Sequence, residues 1–234
     1  MAVSIVQTLE EIEEVHRAKP RGGHPLWVAL MEGALNKGQV QEFLRQFSVI
    51  PLYNHLYHGR LYVNCPDPIW RQRLAEVCYE EATGRLFADG VPHYQLYLRI
   101  GEAMGIPTKE MYDTEFGVGA IAFRAYFEYI CSKSFLEGVS AHMLGAEAQV
   151  PGVSGKVGRA LMKRFGLSEH DVAFYTVHDD ADKEHKEIGQ ELLEQFAKTD
   201  EELRLVVRTV RDMVDVSYLL YDDIYRRVQS VKGT

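Results

Sequence analysis

The stretch "LVVRTVRDMVDVSYLLYDDIYRRV", residues 205–228, contains an apolar stripe that decides the fold class. Its members recur at intervals of three and four residues: Val206, Val210, Met213, Ser217, Leu220 and Ile224. This spacing is typical of a long amphipathic helix that buries one face. Thr199 and Glu202 precede the stripe at the spacing of a capping box, which predicts the start of the helix.

The same helical periodicity extends through the rest of the chain. Further helices are predicted at about 8–18, 25–35, 38–63, 67–83, 92–104, 114–147, 153–165 and 169–197. The predicted helix 114–147 is expected to break near residue 135. Turn-forming segments such as "KPRGGHP", "CPDP" and "FGLS" separate the helices, and no segment alternates like a strand. The sequence therefore predicts one all-α domain over residues 1–234.

Composition and charge exclude several classes of protein. Of the 234 residues, 46% are hydrophobic and 26% charged, which is enough apolar material for a folded core. The net charge of −8 and the lack of basic runs argue against a nucleic-acid partner. No apolar stretch reaches the roughly 20 residues that span a bilayer, so no membrane partner is expected. Three scattered cysteines and an N-terminus without signal-peptide features predict a reduced, cytoplasmic protein.

A candidate metal-binding pattern lies in "FYTVHDDADKEHKEIG", residues 174–189. On a helix, His178, Asp182 and His185 fall on one face over two turns, because each residue advances by about 100°. Imidazole nitrogen together with carboxylate oxygen is a ligand set that iron and manganese accept. A solvated face that happens to contain two histidines is the alternative interpretation.

Carboxylates and a histidine elsewhere in the chain are further ligand candidates. Glu147 follows small residues that would let helices approach, although it could equally be a helix-terminal glutamate. Glu80 or Glu81 ends one predicted helix, and His93 begins the next. The end of one helix and the first turn of the next could converge on one metal ion. A surface or capping role is the alternative for His93.

Three segments carry a resemblance to a known family: "GGHPLW" (22–27), "NCPDPIWRQRLAEVCYEEATG" (64–84) and "PHYQLYLRIGEAMGI" (92–106). With the pattern at 174–189, the chain resembles the heme-oxygenase-like family. That family includes pyrroloquinoline-quinone biosynthesis protein C, TenA-type thiaminases and non-heme diiron oxidases. The resemblance covers nearly the whole chain and implies a bundle of about seven core helices around a central pocket.

Within this family, the resemblance to the diiron oxidases implies a set of six metal ligands. The matching positions are Glu81, His93, Glu147, His178, Asp182 and His185. Glu80 remains an alternative to Glu81, and Glu147 would bridge the two metals. The implied cofactors are two Fe²⁺ ions, with manganese as an option at one site, and O2 is the implied co-substrate.

The resemblance implies that O2 is activated to oxidise a small organic substrate, such as an amine or an amino-acid-derived metabolite. N-oxygenation, C–C cleavage and hydrogen abstraction from an aliphatic position (desaturation) are all implied outcomes. An external electron donor and a homodimer are compatible with the family. Tyrosines that could orient the ligands, or simply pack in the core, are Tyr53, Tyr57, Tyr126, Tyr129 and Tyr175. Basic residues that could hold a substrate carboxylate, or simply lie at the surface, are Arg124, Lys156 and Arg159.

Three other functions are compatible with the sequence. A metal-free oxidase similar to the pyrroloquinoline-quinone enzyme would not need the six ligands. A TenA-type thiaminase would need a nucleophilic cysteine, for which Cys131 is the candidate, although a buried structural cysteine is the simpler interpretation. The third alternative is a helical binding protein in which these histidines and carboxylates are incidental.

Overall fold

A computed structural model of the chain describes residues 4–150, 152–180 and 185–232. The described residues form helices joined by turns, with no strand among them, so the all-α prediction is confirmed. The α-helices are α1 (Ile5–Ala18), α2 (Pro25–Met31), α3 (Lys37–Phe47), α4 (Asn54–Asn64), α5 (Pro68–Thr83), α6 (His93–Ala103), α7 (Thr108–Tyr112), α8 (Val118–Lys133), α9 (Phe135–Val139), α10 (Ser154–Phe165), α11 (Ala173–Asp180), α12 (His185–Phe196) and α13 (Asp200–Ser230). A 3₁₀ turn, Arg21–Gly23, precedes α2, and a π-helix, Ser140–Glu147, follows α9.

The long helix predicted from residues 205–228 is α13. Thr199 accepts a hydrogen bond from the backbone N–H of Glu202, and the Glu202 side chain accepts one from the backbone N–H of Thr199, so the predicted capping box is confirmed. Every member of the predicted stripe is buried: Val206, Val210, Met213, Ser217, Leu220 and Ile224. The helices α1, α3, α8 and the π-helix pack along α13, which makes it the axis of the bundle.

Four of the predicted helices are wrong in their extent. The predicted helix 25–35 ends at Met31, and the predicted helix 114–147 begins only at Val118. The predicted helix 38–63 is interrupted by a turn at residues 48–53, where Pro51 lies between α3 and α4. Proline has no backbone N–H to continue a helical ladder, and it disfavours helical backbone in the residue before it. The predicted helix 169–197 begins only at residue 173, because Ser168 and Asp171 close a turn on each other before α11 starts.

The predicted break near residue 135 is confirmed. Ser134 has extended backbone between α8 and α9, and its hydroxyl accepts a hydrogen bond from the N–H of Glu137. The chain then continues into the π-helix instead of an ordinary α-helix, which the sequence did not indicate. The short helix α7 also lies outside the predicted helices.

Glycine allows the π-helix to lie close to α13. A Cβ atom added at Gly145 would lie 2.9 Å from the Met213 side chain and 3.6 Å from the carbonyl oxygen of Val210. This confirms that a small residue permits the close approach that the segment before Glu147 suggested. None of the described helices is long and apolar enough to cross a membrane.

Candidate metal centre

Glu81, His93 and His178 come together from three different helices. Glu81 lies near the end of α5, His93 is the first residue of α6, and His178 lies on α11. Each offers one ligand atom, and these atoms lie within 4.8 Å of one another. The Nδ1 atom of His93 is 3.0 Å from Oε1 of Glu81, and the rings of His93 and His178 are 5.0 Å apart between centroids. The spacing suits donor atoms that share one metal ion.

Glu80, the alternative to Glu81, has a different set of contacts. Its carboxylate accepts hydrogen bonds from the backbone N–H groups of Leu86 and Phe87, at 2.6 and 3.1 Å. Its Oε1 atom is also 3.2 Å from Nε2 of His93. Glu80 therefore holds the far side of the His93 ring, while Nδ1 faces Glu81. A carboxylate behind a ligating histidine fixes the tautomer and the orientation of the ring.

The loop that brings His93 back to α5 depends on one glycine. Gly84 ends α5 with a φ of 62°, a left-handed conformation that glycine adopts without strain. A Cβ atom at this position would lie 2.0 Å from the carbonyl oxygen of Val91. Only glycine fits both conditions, so the tight return of the chain to His93 requires it.

His178 is oriented by its own helix. Its Nδ1 atom is 2.6 Å from the carbonyl oxygen of Phe174 and donates to it, which leaves Nε2 as the potential ligand atom. Burial lowers the pKa of His178, and the charges of His93 and Arg21 add to this shift while that of Glu81 opposes it. A neutral imidazole with a free nitrogen lone pair is the form that binds a metal.

A second group consists of His58, His142 and Glu147. His58 lies on α4, and the other two residues belong to the π-helix. The three ligand atoms lie within 4.8 Å of one another, and the rings of His58 and His142 are 4.5 Å apart between centroids. The Nδ1 atom of His142 is 3.5 Å from Oε1 of Glu147. This group has the same chemistry as the first one.

The π-helix explains how His142 and Glu147 meet. Residues five apart on an α-helix lie about 140° apart around its axis, so they do not share a face. In a π-helix the hydrogen bonds run from residue i to i+5, which brings such residues one above the other. Short π-helical insertions occur frequently at functional sites, because they re-aim side chains within a helix.

His58 shows most directly that this interior suits a metal. Both ring nitrogens are buried and have no hydrogen-bond partner within the described part of the chain. Burial lowers the pKa of His58 to about 4, and the neighbouring His142 adds to the shift. A buried polar atom without a partner is costly. A bound metal ion would satisfy one of these nitrogens, so the residues present fit the group.

The two groups are neighbours. The carboxylates of Glu81 and Glu147 both raise the pKa of His58, so a member of the second group lies within electrostatic reach of Glu81. Burial alone would raise the pKa of Glu81, but contact with His93 and the charges of the nearby histidines hold it below its usual range. In His93 the contacts with Glu81 and Glu80 outweigh burial and raise the pKa. Without a metal, the interior holds a buried pair of opposite charges.

Four of the six predicted ligands lie in these two groups. Glu81, His93 and His178 are brought together, and Glu147 lies in the adjoining group. Asp182 lies outside the described residues. His185 is the first residue of α12, and its side chain is not among those described.

His58 and His142 were not among the predicted ligands. His58 could have been predicted to lie in the interior, because it is next to Tyr57 and three residues before Leu61, and both of these residues are buried. No helical-periodicity argument could have found His142, because its pairing with Glu147 requires the π-helix.

The predicted auxiliary residues have mixed surroundings. Tyr57 donates to the carbonyl of Val49, which is the core-packing role, whereas Tyr129 is exposed. Tyr53 packs beneath the Arg124 guanidinium, Tyr126 packs half-buried against the core, and Tyr175 is buried with no hydrogen-bond partner for its hydroxyl in the described chain. Tyr175 therefore differs from an ordinary core tyrosine, whose buried hydroxyl has a hydrogen-bond partner.

The predicted basic residues are either paired or exposed. Arg124 forms an ion pair with Glu128 at 2.8 Å, and Lys156 and Arg159 are exposed. These contacts fit the interpretation of all three as surface charges.

Cys131 does not have the surroundings of a nucleophile. The residue is fully buried on α8, and burial raises the pKa of its thiol to about 12. The thiolate is the reactive form of cysteine, and reactive cysteines lie in accessible, electropositive places. The environment of Cys131 therefore argues against the thiaminase alternative.

The chain is similar to known proteins along most of its length. Residues 41–218 match the family model described as "Iron-containing redox enzyme". A protein of Chlamydia pneumoniae named 4-aminobenzoate synthase is 26% identical over 79% of this chain and 79% of its own length. A pyrroloquinoline-quinone synthase of Xanthomonas campestris is 24% identical over 86% of this chain and 80% of its own length.

A solved structure confirms the fold family. A domain of unknown function from Shewanella denitrificans, described as having a heme oxygenase-like fold, superposes with a TM-score of 0.76. It is 15% identical, and the match covers 97% of this chain and 94% of that one. At this identity the likeness concerns the fold, which is the heme-oxygenase-like fold expected from the sequence.

Proposed function

The chain belongs to the family of iron-containing redox enzymes, and from that premise we propose that it is an oxidase that uses two iron ions and O2. The observation that carries the proposal is the pair of adjoining, largely buried groups, Glu81–His93–His178 and His58–His142–Glu147. Each group supplies one carboxylate and two imidazoles. The first group comes from α5, α6 and α11, and the second from α4 and the π-helix. Two such groups side by side suit a two-metal site in a helical bundle.

The charge of the ligand groups favours divalent iron. Two carboxylates among six ligand groups neutralise about half of the charge of two divalent ions. Asp182 and His185, which the family pattern implies as further ligands, would add one more negative charge and one more imidazole. Manganese at one position stays compatible with the same donor atoms, because both metals accept imidazole and carboxylate.

The surrounding residues prepare the donor atoms. Glu80 keeps the proton of the His93 ring on Nε2, and the Phe174 carbonyl keeps the proton of His178 on Nδ1. Both imidazoles then present their second nitrogen to the centre. Burial keeps water away, so these donors act in a medium of low dielectric constant where charge interactions are strong. When bound, reduced iron supplies the electrons for O2, a reaction that amino-acid side chains do not perform.

The substrate that we propose is a small amine or amino-acid-derived metabolite, oxidised by N-oxygenation or C–C cleavage. The relatives named 4-aminobenzoate synthase and pyrroloquinoline-quinone synthase support a small nitrogen-containing substrate. An external electron donor belongs to the proposal, because a second turnover needs the iron reduced again. We further propose that the protein acts in the cytoplasm as a homodimer, without a nucleic-acid or membrane partner.

The test is an anaerobic Fe(II) titration of the full chain, followed by exposure to O2. We expect about two irons per chain with Mössbauer parameters of a coupled pair, and O2 consumption that follows the iron content. Glu81→Ala and Glu147→Ala each remove a carboxylate from one group, and each should lose at least one iron. Glu76→Ala changes an exposed carboxylate on the same helix as Glu81 and should bind iron like the wild type.

Two results would contradict the proposal. One is a wild-type chain that takes up no specific iron, which would favour the metal-free oxidase instead. The other is a Glu81→Ala variant that binds as much iron as Glu76→Ala.

A further inference from the structure

Arg21 is a buried cation without an anionic partner. Only 8% of the residue is exposed, and its guanidinium lies over the Trp27 ring, 4.1 Å from the centroid. Within the described part of the chain, no carboxylate lies within ion-pair distance of it, and its Nε atom has no acceptor. Its backbone N–H donates to Gln149, which fixes the turn but leaves the side chain free.

Burying an unpaired guanidinium is unfavourable unless other interactions offset the cost of removing its charge from water. Ionised side chains are almost never buried unless they are paired. The aromatic faces of Trp27, Phe47 and Tyr221 surround the guanidinium at 4.1 to 5.7 Å and stabilise it in part. They bind the face of the guanidinium and offer no strong acceptor to its N–H groups, which stay available for an anion.

Two other buried donors nearby also lack partners. The hydroxyl of Tyr175 and the indole Nε1 of Trp27 have no hydrogen-bond partner in the described chain. Tyr175 lies on α11, three residues before His178, and the charge of Arg21 acts on both of these residues. Tyr175 therefore lies one helical turn from a member of the Glu81–His93–His178 group, and the Phe174 ring packs against both Tyr175 and His178, at 5.5 and 4.5 Å between centroids.

We infer that Arg21 binds the carboxylate of an aromatic substrate and holds that substrate against the metal centre. The inference rests on the proposed function and names the substrate class of the same site. The guanidinium would donate two parallel hydrogen bonds to the carboxylate, and Tyr175 would donate a third. The aromatic rings around Arg21 suit a flat apolar ring on the same molecule.

A carboxylate fits this place better than a phosphate. A single guanidinium balances one negative charge, and phosphate at neutral pH carries more than one. The excess charge would be buried among Trp27, Phe47 and Tyr221, where nothing in the described chain neutralises it. We therefore expect the site to prefer a monoanion.

The experiment follows Trp27 fluorescence while benzoate is added to the full, iron-loaded chain under anaerobic conditions. The protein has two tryptophans, so a Trp70→Phe background leaves Trp27 as the reporter. We expect saturable quenching by benzoate, at least tenfold weaker binding of neutral benzamide, and weaker binding of inorganic phosphate. No response to benzoate, or equal binding of benzamide, would overturn the inference. Tighter binding of phosphate would also overturn it.

Variants assign the effect to Arg21. Arg21→Gln should weaken benzoate binding at least tenfold, whereas the matched change Arg164→Gln, at an exposed arginine that lies over Phe165, should leave it unchanged. Arg21→Lys should bind with intermediate strength, because it keeps the charge but not the paired donors. Equal binding by Arg21→Gln and the wild type would overturn the inference.

A second variant covers the case in which Arg21→Gln does not fold. Tyr175→Phe removes only an unpartnered hydroxyl, so the fold should persist while benzoate binding weakens about threefold to tenfold. Unchanged binding by Tyr175→Phe, if Arg21→Gln cannot be studied, would count against the inference.

Repeating the titration on the metal-free chain separates this inference from the proposed function. Benzoate bound at Arg21 by a chain that takes up no iron would leave the inference standing and the oxidase proposal contradicted. Iron uptake without a benzoate response would leave the oxidase proposal standing and the inference about Arg21 contradicted.

Discussion

Two adjacent glutamates at the end of α5 have different tasks. Glu81 faces the Nδ1 atom of His93, whereas Glu80 holds the loop backbone and the Nε2 side of the same ring. The sequence alone could not separate them, because both follow the same apolar segment. The loop after α5 makes the difference, because the backbone N–H groups of Leu86 and Phe87 donate hydrogen bonds to the carboxylate of Glu80.

This difference predicts a graded effect on metal binding. Glu81→Gln removes a ligand charge and should abolish one tightly bound iron. Glu80→Gln keeps the size of the side chain and loosens the orientation of His93, so iron affinity should fall about tenfold to a hundredfold without loss of stoichiometry. Anaerobic competition titrations with a metal chelator measure both changes. Equal losses in the two variants would contradict the assignment.

The thiol of Cys131 should be nearly inert in the folded protein. With a pKa raised to about 12, only about one thiol in ten thousand is ionised at pH 8. Its reaction with a thiol reagent should therefore be slow and should accelerate as the pH rises towards that value. Cys78, which is only half-buried, is the internal reference. Peptide mapping after timed labelling at pH 8 measures both residues.

Rapid labelling of Cys131, at the rate of Cys78, would contradict this picture and revive the nucleophile interpretation. Cys131→Ser serves as the companion variant. It should bind iron like the wild type, because the thiol belongs to neither ligand group.

At the scale of whole helices, periodicity predicted most of the fold. The stripe of α13 and its capping box follow from side chains spaced at three and four residues and from one local hydrogen-bond pair. Where the prediction was wrong, the cause was local backbone chemistry within an apolar segment. Pro51 lies in a turn that splits one predicted helix into α3 and α4, although apolar residues continue through it.

The π-helix marks the limit of what the sequence could predict about the site. A period of 3.6 residues places His142 and Glu147 on different faces, so the pattern gave no reason to pair them. Their meeting depends on how the segment packs against α13, which is a tertiary effect. The burial of Arg21 could not be predicted for a similar reason. Its segment has the sequence of a turn, and the aromatic residues that bury it include some that are distant in sequence, such as Phe47.

Gly145→Ala tests whether this close packing positions the second group. The added Cβ atom would lie 2.9 Å from the Met213 side chain, so the π-helix or α13 must shift. We expect a loss of about 1–3 kcal/mol in the free energy of unfolding, as for other overpacked cores. Iron bound by the His58–His142–Glu147 group should be lost selectively. Denaturant unfolding and iron analysis measure the two effects.

Gly59→Ala is the matched control for that change. Gly59 lies within α4, and a Cβ atom there meets nothing within 4 Å. Alanine is favoured over glycine inside a helix by about 0.5–1 kcal/mol, so this variant should be as stable as the wild type or more so. A Gly145→Ala protein that behaves like Gly59→Ala would show that the close approach to α13 is dispensable.

Across the whole molecule, the candidate ligands link distant parts of the chain. They come from α4, α5, α6, the π-helix and α11, so residues 58 to 178 meet at one place. Without a metal, this interior contains unpartnered nitrogens at His58 and a buried ion pair between Glu81 and His93. Metal binding would therefore favour the folded chain over the unfolded one.

Metal binding should therefore raise the thermal stability of the protein by several degrees. At a free metal concentration of one hundred times Kd, one site adds about 2.7 kcal/mol to the free energy of unfolding. For a protein of this size, each 1 kcal/mol raises Tm by about 2–4 °C, so one site should add roughly 5–11 °C. Differential scanning fluorimetry under anaerobic conditions measures the shift with Fe(II), and Mn(II) gives a reading free of oxidation by O2.

The variants distinguish a metal that joins these helices from one bound at the surface. Glu81→Ala should retain only part of the shift, and Glu81→Ala combined with Glu147→Ala should retain none, because the double variant has lost a carboxylate from each group. Glu76→Ala should show the full shift, since its carboxylate is exposed on the outside of α5. A double variant that metal stabilises as strongly as the wild type would mean that the ion binds elsewhere, and that these buried histidines do not join the helices through iron.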